Sequence, residues 1–306
     1  MSQIVTSNTT SRSGLGLILG AAISWGTVGI TTQALYSLSS TNALSIGFFR
    51  LAIAALILLI ACWCLLGRRI IKIKRRDALV MLGIGALLAL YQACYFAAIS
   101  YCGVAIAALI TLCTAPIIVT LVSLTITRER VTAITAIALV CAIGGTGLLV
   151  VARSTSGVIN ASLIGILFAL VAACGYAGVI IGGRHLAGRY HPLHINAVAF
   201  GAGAIVLLCF ALPTRLVITY HAQGWLLLLY LGSIPTALAY GLFMVGIRST
   251  SATITSIVTL FEPLMSALLA WLFFGERLGA TGLVGAFLLL GAILLLAGKK
   301  QQPKPQ

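Results

Sequence analysis

The chain has 306 residues, of which 61% are hydrophobic and only 8% are charged. A soluble domain carries roughly 25% charged residues, so this composition excludes an ordinary soluble enzyme. The net charge of +15 does not indicate a nucleic-acid partner, because the basic residues lie in short segments between apolar stretches, as the positive-inside rule describes for membrane proteins.

Apolar stretches of about 20 residues, the length of helix that spans a bilayer core, follow one another along the whole chain. Each must be helical, because the bilayer offers backbone polar groups no other partner and the alternating pattern of barrel strands is absent. This predicts an all-α integral membrane protein with ten transmembrane helices and short tails at 1–13 and 299–306. The predicted helices are 14–35, 44–66, 78–99, 104–125, 132–152, 161–183, 193–213, 223–246, 251–273 and 280–298.

Ten crossings place both chain termini on the same side of the membrane. Of the 19 Lys and Arg residues, 15 fall on that side. The exceptions are Arg50 inside a span and, on the other side, Arg153, Arg215 and Arg277. The positive-inside rule therefore predicts that both tails are cytoplasmic.

The two halves of the chain share residues at fixed intervals. The interval is 147 residues for Pro116 with Pro263, Glu129 with Glu276 and Arg130 with Arg277, and 149 residues for Gly16 with Gly165, Gly26 with Gly175 and Gly29 with Gly178. The predicted repeats, 14–152 and 161–298, contain five helices each. Because five is odd, the second repeat enters the membrane with the opposite polarity. Inverted repeats with a binding site between them near the bilayer midplane are typical of secondary transporters.

Four short motifs resemble the EamA family of the drug/metabolite transporter superfamily, and the resemblance covers residues 14–298. The motifs are Trp25-Gly26, Phe49-Arg50, Phe261-Glu262-Pro263 and Gly275-Glu276-Arg277-Leu278. The resemblance implies a ten-helix permease of the bacterial inner membrane, often an exporter of amino acids or related metabolites. The first half departs from the family pattern, because no glycine precedes the glutamate in Ile126-Thr127-Arg128-Glu129-Arg130.

Two charged residues within the predicted helices are candidates for substrate binding. Glu262 lies roughly 16 Å along its helix, near the membrane centre, where a charge costs about 2.5–3.5 kcal/mol on insertion scales. It either binds a substrate ammonium group or carries a proton, or it is a protonated carboxyl that packs between helices. Arg50 either pairs with a substrate carboxylate or with Glu262, or extends to the outer membrane interface.

Polar-tipped aromatic residues within the helices form a second group of candidates. Such side chains need hydrogen-bond partners and can hold a cation or stack on a ring, although each alone is equally explained by packing. Pro116 and Pro263 are predicted hinges, with a static kink as the alternative. The predicted substrate-binding residues are Trp25, Arg50, Tyr91, Gln92, Tyr95, Thr114, Tyr176, Tyr240 and Glu262.

The sequence has no phosphate-binding loop, zinc-protease motif or complete hydrolase triad, so no catalytic residue, cofactor or metal site is predicted. We expect a secondary transporter that exports a small amphipathic metabolite, an amino acid or related compound, by alternating access. A proton is the candidate coupling ion, and the sequence leaves the oligomeric state open. The alternatives are a passive channel-like facilitator and, less favoured, an integral-membrane enzyme that acts on a lipid-linked substrate.

Overall fold

The structure, a computed structural model, describes residues 12–66, 73–125, 131–152, 162–214, 216–274 and 279–298. The tails and the motifs around Glu129 and Glu276 lie outside these residues. Within the described residues, every regular element is helical. The helices are α1 (Arg12–Leu38), α2 (Ala43–Leu66), α3 (Arg75–Thr125), α4 (Ala133–Ala152), α5 (Leu163–Leu186), α6 (Pro192–Ala211), α7 (Ala222–Gly232), α8 (Ala239–Gly246), α9 (Ala252–Thr259), α10 (Phe261–Phe274) and α11 (Ala280–Gly298).

Ten helical segments in the described part of the chain are long and apolar enough to cross a membrane. They coincide with the ten predicted spans to within a few residues at each end. Large apolar side chains such as Leu56, Val140 and Leu294 are exposed on their outer faces. A lipid environment accommodates such a surface, whereas water does not. The predicted class, an all-α membrane protein with ten spans, is therefore confirmed.

The third and fourth predicted spans form one continuous helical run, α3, where the sequence predicted a break at residues 100–103. Along α5, Gly175 approaches Tyr91 and Gly165 approaches Cys102. The Thr111 hydroxyl then donates to the carbonyl of Ala169, with 3.2 Å between Oγ1 and O. The run therefore turns back on itself between residues 102 and 111 and still crosses twice.

Helices of the two halves pack in pairs: α2 with α6, α4 with α11, α1 with α8 and α10, and α3 with α5 and α6. In the α4–α11 pair, a Cβ on Gly145 would lie 2.7 Å from the carbonyl oxygen of Gly285, and a Cβ on Gly285 would lie 2.6 Å from that of Gly145. Glycine therefore permits this close approach, as small residues commonly do in membrane helix pairs. This contact joins the two halves, and the inversion of the second half stays a prediction.

One end of the bundle carries many basic side chains and is tightly packed. Gly14 of α1 lies against Gly246 and Thr250, and Gly183 lies against Met244. These contacts leave little space between α1, α5 and the end of the eighth span. We call this end the basic end; its basic residues include Arg12, Lys74, Arg75, Arg184, Arg189 and Arg248.

Candidate substrate cavity

The ninth predicted span is broken near its middle. Two helices, α9 and α10, are separated by Leu260, whose backbone lies at φ −65° and ψ −4°. Pro263 explains the break because it has no N–H to donate to the carbonyl of Thr259. Proline is tolerated in the first turn of a helix, so α10 starts at Phe261. Glu262 consequently lies in the first turn of α10, where the helix dipole favours a carboxylate.

The eighth predicted span also departs from a regular α-helix, in the π-helical segment Ser233–Leu238 between α7 and α8. Pro235 has no N–H to donate to the carbonyl of Leu231. The Thr236 hydroxyl donates to that carbonyl instead, with 2.7 Å between Oγ1 and O. The segment packs against α2 and ends two residues before Tyr240. Segments of this kind frequently occur at functional sites.

A cavity of about 1370 Å³ is lined by residues of both halves. Its deepest walls include Trp25 and Glu262, which lie near the middle of their spans. The lining continues to the ends of helices at Tyr36, Asn42 and Thr214. Most of its lining residues lie between the middle of the bundle and the end away from the basic end, and Tyr240 lies slightly beyond the middle of its span. We call the opposite end the open end, because the cavity extends towards it and is closed towards the basic end.

Aromatic rings form much of the cavity wall. The ring centroids of Trp25 and Tyr240 lie 4.9 Å apart. The ring of Tyr91 lies 5.2 Å from that of Tyr176 and 6.0 Å from that of Tyr95. These separations are those of favourable ring pairs. The wall therefore offers ring faces that can hold an apolar group or a cation.

Two opposite charges face the cavity from different halves of the chain. Arg50 comes from α2 and Glu262 from α10. They attract each other electrostatically. No side-chain nitrogen of Arg50 lies within 4.0 Å of a carboxylate oxygen of Glu262, so the two residues do not form an ion pair. The space between them suits a ligand that carries a positive and a negative group. Four tyrosines also interact electrostatically with Glu262: Tyr91, Tyr95, Tyr176 and Tyr240.

Three N–H groups of the cavity lining have no hydrogen-bond partner within the described residues: Trp25 Nε1, Arg50 Nε and Gln92 Nε2. Trp25 is 6% exposed and Gln92 is 5% exposed. Gly47, one turn from Arg50 on α2, makes room for the Gln92 amide, because a Cβ there would lie 2.8 Å from Gln92 Oε1. An unsatisfied buried donor costs about 1–3 kcal/mol. Three such donors in one lining are typical of a site that a ligand completes.

The structure brings eight of the nine predicted substrate-binding residues into this lining. Thr114 is outside it. Ala108 and Leu112 of the same helix line the cavity, and Thr114 lies about 200° around the helix from Leu112. Thr114 therefore does not line this cavity, and its role in substrate binding stays a prediction that the cavity does not support. The residues that remain are Trp25, Arg50, Tyr91, Gln92, Tyr95, Tyr176, Tyr240 and Glu262.

The two repeat-related prolines have different surroundings. Pro263 lines the cavity and lies next to the break between α9 and α10. Pro116 lies inside the continuous helix α3, where the Thr120 hydroxyl donates to its carbonyl with 2.7 Å between Oγ1 and O. The helix is thus interrupted beside one proline of the pair, and the hinge function stays a prediction for both.

Some parts of the site escaped sequence reasoning. Pro235, in the middle of an apolar run, was the available signal for the irregular eighth span. Polar lining residues near helix ends gave no signal, because an interfacial position explains them equally well. The missed polar lining residues are Thr32, Gln33, Tyr36, Asn42, Ser100, Thr214 and Ser266.

Residues 12–151 and 163–298 each match the family model described as the EamA-like transporter family. The chain belongs to this family. The predicted resemblance is therefore confirmed, and the two matched segments of this EamA-like transporter cover nearly all of its ten spans. Family membership makes it a multi-pass membrane transporter.

This EamA-like transporter also resembles curated proteins over almost its full length. It is 32% identical to the uncharacterized transporter YwfM of Bacillus subtilis, covering 93% of this chain and 94% of the relative. It is 26% identical to the uncharacterized inner membrane transporter YicL of Salmonella typhimurium, with coverages of 94% and 96%. A crystal structure at 18% identity, with a TM-score of 0.80, covers 94% of this chain and 100% of its own. This structural similarity shows that the two chains share a fold.

Proposed function

We propose that this EamA-like transporter is a secondary carrier that exports a small amphipathic metabolite, an amino acid or related compound, by alternating access. The observation that carries the proposal is a cavity that is open towards one end and is lined by one basic and one acidic side chain, Arg50 and Glu262. A channel needs a continuous path through the bundle, whereas this cavity is closed towards the basic end. A carrier in one of its two states has this shape.

The two charged residues have complementary roles in this proposal. Glu262 holds the substrate ammonium group among the tyrosine rings, which attract cations through their faces. Arg50 and Gln92 hold the substrate carboxylate, so that donors without a protein partner become satisfied. In the empty site Glu262 binds a proton instead, because an isolated charge at this depth is costly. A proton is therefore the candidate coupling ion.

In this proposal, the charge of the basic end sets the orientation of the protein in the membrane. The positive-inside rule assigns this end to the cytoplasm, in the inner membrane of a bacterium. The cavity of this structure then opens to the exterior, which is the state that releases an exported compound. The opposite state, open to the cytoplasm, would load it.

The experiment begins with a comparison of metabolites in medium and cells, with and without this chain. A compound whose level in the medium depends on the chain is then tested for counterflow in proteoliposomes. We expect uptake of the labelled compound to saturate and to accelerate when unlabelled compound is present on the opposite side. Uptake that neither saturates nor shows this trans-stimulation would identify a channel-like facilitator and reject the carrier.

Substitution of Arg50 tests how the compound is held. We expect Arg50→Ala to weaken the apparent affinity by about tenfold or more, because a charge-assisted hydrogen bond to a carboxylate is lost. Arg76→Ala, which removes an exposed arginine from the basic end, is the matched control and should leave affinity unchanged. An Arg50→Ala variant with unaltered affinity would reject the carboxylate-binding role.

A further inference from the structure

Each end of the bundle is crossed by a hydrogen bond from a tyrosine in a connecting segment. At the basic end, the Tyr190 hydroxyl donates to Asp77, with 2.7 Å between Oη and Oδ2. At the open end, Tyr220 Oη lies 2.6 Å from Thr41 Oγ1. Residues 41 and 190 are 149 positions apart, the interval that relates the first and sixth spans. The same kind of contact therefore exists at the closed end and at the open end, so it does not distinguish them.

Both tyrosine contacts also persist across the physiological pH range. The hydrogen bond to the Asp77 carboxylate raises the pKa of the Tyr190 hydroxyl above its usual value. Burial raises the pKa of the Tyr220 hydroxyl. Both hydroxyls therefore keep their protons and remain hydrogen-bonded. These contacts have the properties of a permanent scaffold.

A second set of hydrogen bonds at the basic end involves two arginines. Arg184, in the last turn of α5, donates from Nη1 to the carbonyl oxygens of Ile247 and Arg248. Arg248 donates from Nη2 to the carbonyl oxygen of Tyr190 at 2.7 Å. These bonds join α5 and the segment after it to the end of the eighth span. They close the basic end where α5 and the eighth span meet.

The repeat relates these arginines to the rim of the cavity. An interval of 149 residues also separates Tyr91 of the third span from Tyr240 of the eighth. This interval maps positions 184, 190 and 248 onto positions 35, 41 and 99. The cavity is lined at or next to those positions, by Tyr36 and Asn42 on one side and by Ile99 and Ser100 on the other. The gap that is open at one end is thus bridged by arginine side chains at the other.

We propose that Arg184 and Arg248 form the gate that closes the basic end, and that the Asp77–Tyr190 contact is scaffold that remains in both states. The proposal rests on the alternating access of the proposed function. Release of the Ile247 and Arg248 carbonyls by Arg184 lets the end of the eighth span separate from α5, and the cavity then opens at the basic end. Hydrogen bonds at a water-accessible rim are individually weak, which suits a contact that must break in each cycle.

Two serines at repeat-related positions serve as matched reporters in a full-length protein whose eight cysteines are replaced by alanine. Ser100→Cys reports the open end, because Ser100 lines the cavity. Ser249→Cys reports the basic end, because Ser249 lies against Gly14 in the closed packing. The rate of reaction with a membrane-impermeant maleimide, measured for each reporter in lipid nanodiscs, gives the accessibility of each end.

In the Arg184→Met and Arg248→Met variants, we expect labelling of Ser249→Cys to become about threefold faster and labelling of Ser100→Cys to become slower by a similar factor. Arg189→Met is the matched control: Arg189 pairs with Asp77, with 3.3 Å between Nη1 and Oδ1, so both rates should stay unchanged. Thermal unfolding of each variant in detergent verifies that the fold is retained.

Three results overturn the gate: unchanged rates in both arginine variants, equal effects of Arg184→Met and Arg189→Met, or faster labelling at both ends together. The labelling requires no substrate, so its outcome is separable from that of counterflow. If counterflow is normal but the two labelling rates do not change in opposite directions, the gate proposal is rejected and the carrier proposal stands. If the two labelling rates change in opposite directions but counterflow is absent, the gate proposal stands and the transport proposal is rejected.

Discussion

At the scale of single residues, the proposed function depends on Glu262. The sequence shows a carboxylate deep within a span, which is costly unless something compensates for it. The structure supplies compensation in two forms: the position of Glu262 in the first turn of α10 and the attraction of Arg50. This arrangement favours a binding or proton-carrying function over simple packing.

Replacement of Glu262 by glutamine tests the proton-carrying function. Glutamine has nearly the same shape but neither charge nor a titratable proton, so we expect Glu262→Gln to reduce counterflow at least about tenfold. Any activity that remains should no longer vary between mildly acidic and mildly alkaline pH. Transport by Glu262→Gln that equals the unsubstituted protein at every pH would show that Glu262 does not couple a proton.

At the scale of helices, the sequence predicted where the spans occur, and Pro263 indicated the irregularity of the ninth span, but the bend in α3 and the π-helical segment were not predicted. Length and hydropathy determine the number of spans, because each must cross the same thickness of lipid. The bend in α3, the break before Phe261 and the π-helical segment depend on local hydrogen bonds, and apolar composition does not encode these. Thr114 lies outside the cavity lining for a related reason: the sequence indicates depth in the membrane, but not the rotation of a helix about its axis.

Pro263 tests whether the interruption of the ninth span matters for transport. Alanine restores an N–H that can donate to the carbonyl of Thr259, so we expect Pro263→Ala to join α9 and α10 and to slow counterflow severalfold without loss of folding. Pro116→Ala, in a helix that is already continuous, is the comparison and should have the smaller effect. Equal counterflow rates for Pro263→Ala and the unsubstituted protein would show that Pro263 does not act as a hinge in transport.

Close packing between the two halves is tested at Gly285 of α11. A Cβ at this position would lie 2.6 Å from the carbonyl oxygen of Gly145, so the helices must separate. We expect Gly285→Ala to destabilise the protein by about 1–3 kcal/mol, measured as a lower midpoint of thermal unfolding in detergent. Gly291→Ala on the same helix meets no atom within 4 Å and should leave the midpoint unchanged or raise it. The reverse order would contradict the packing.

At the scale of the whole molecule, two related halves explain how one bundle has two states. If the second repeat is inverted, each half can adopt the conformation now seen in the other, and the cavity opens at the opposite end. The repeat spacing predicted this relation, and the inversion of the second repeat stays a prediction. Which end is closed depends on the few side chains at each rim, and repeat spacing alone does not reveal them.

The most direct test compares distances across the two rims. Spin labels at positions 36 and 100 span the open end, and labels at the repeat-related positions 185 and 249 span the basic end. Pulsed electron paramagnetic resonance in lipid nanodiscs measures both distances, with and without the transported compound. The account predicts two populations for each pair, with the open end shortening as the basic end lengthens. Invariant distances at both ends, or lengthening at both ends together, would contradict alternating access.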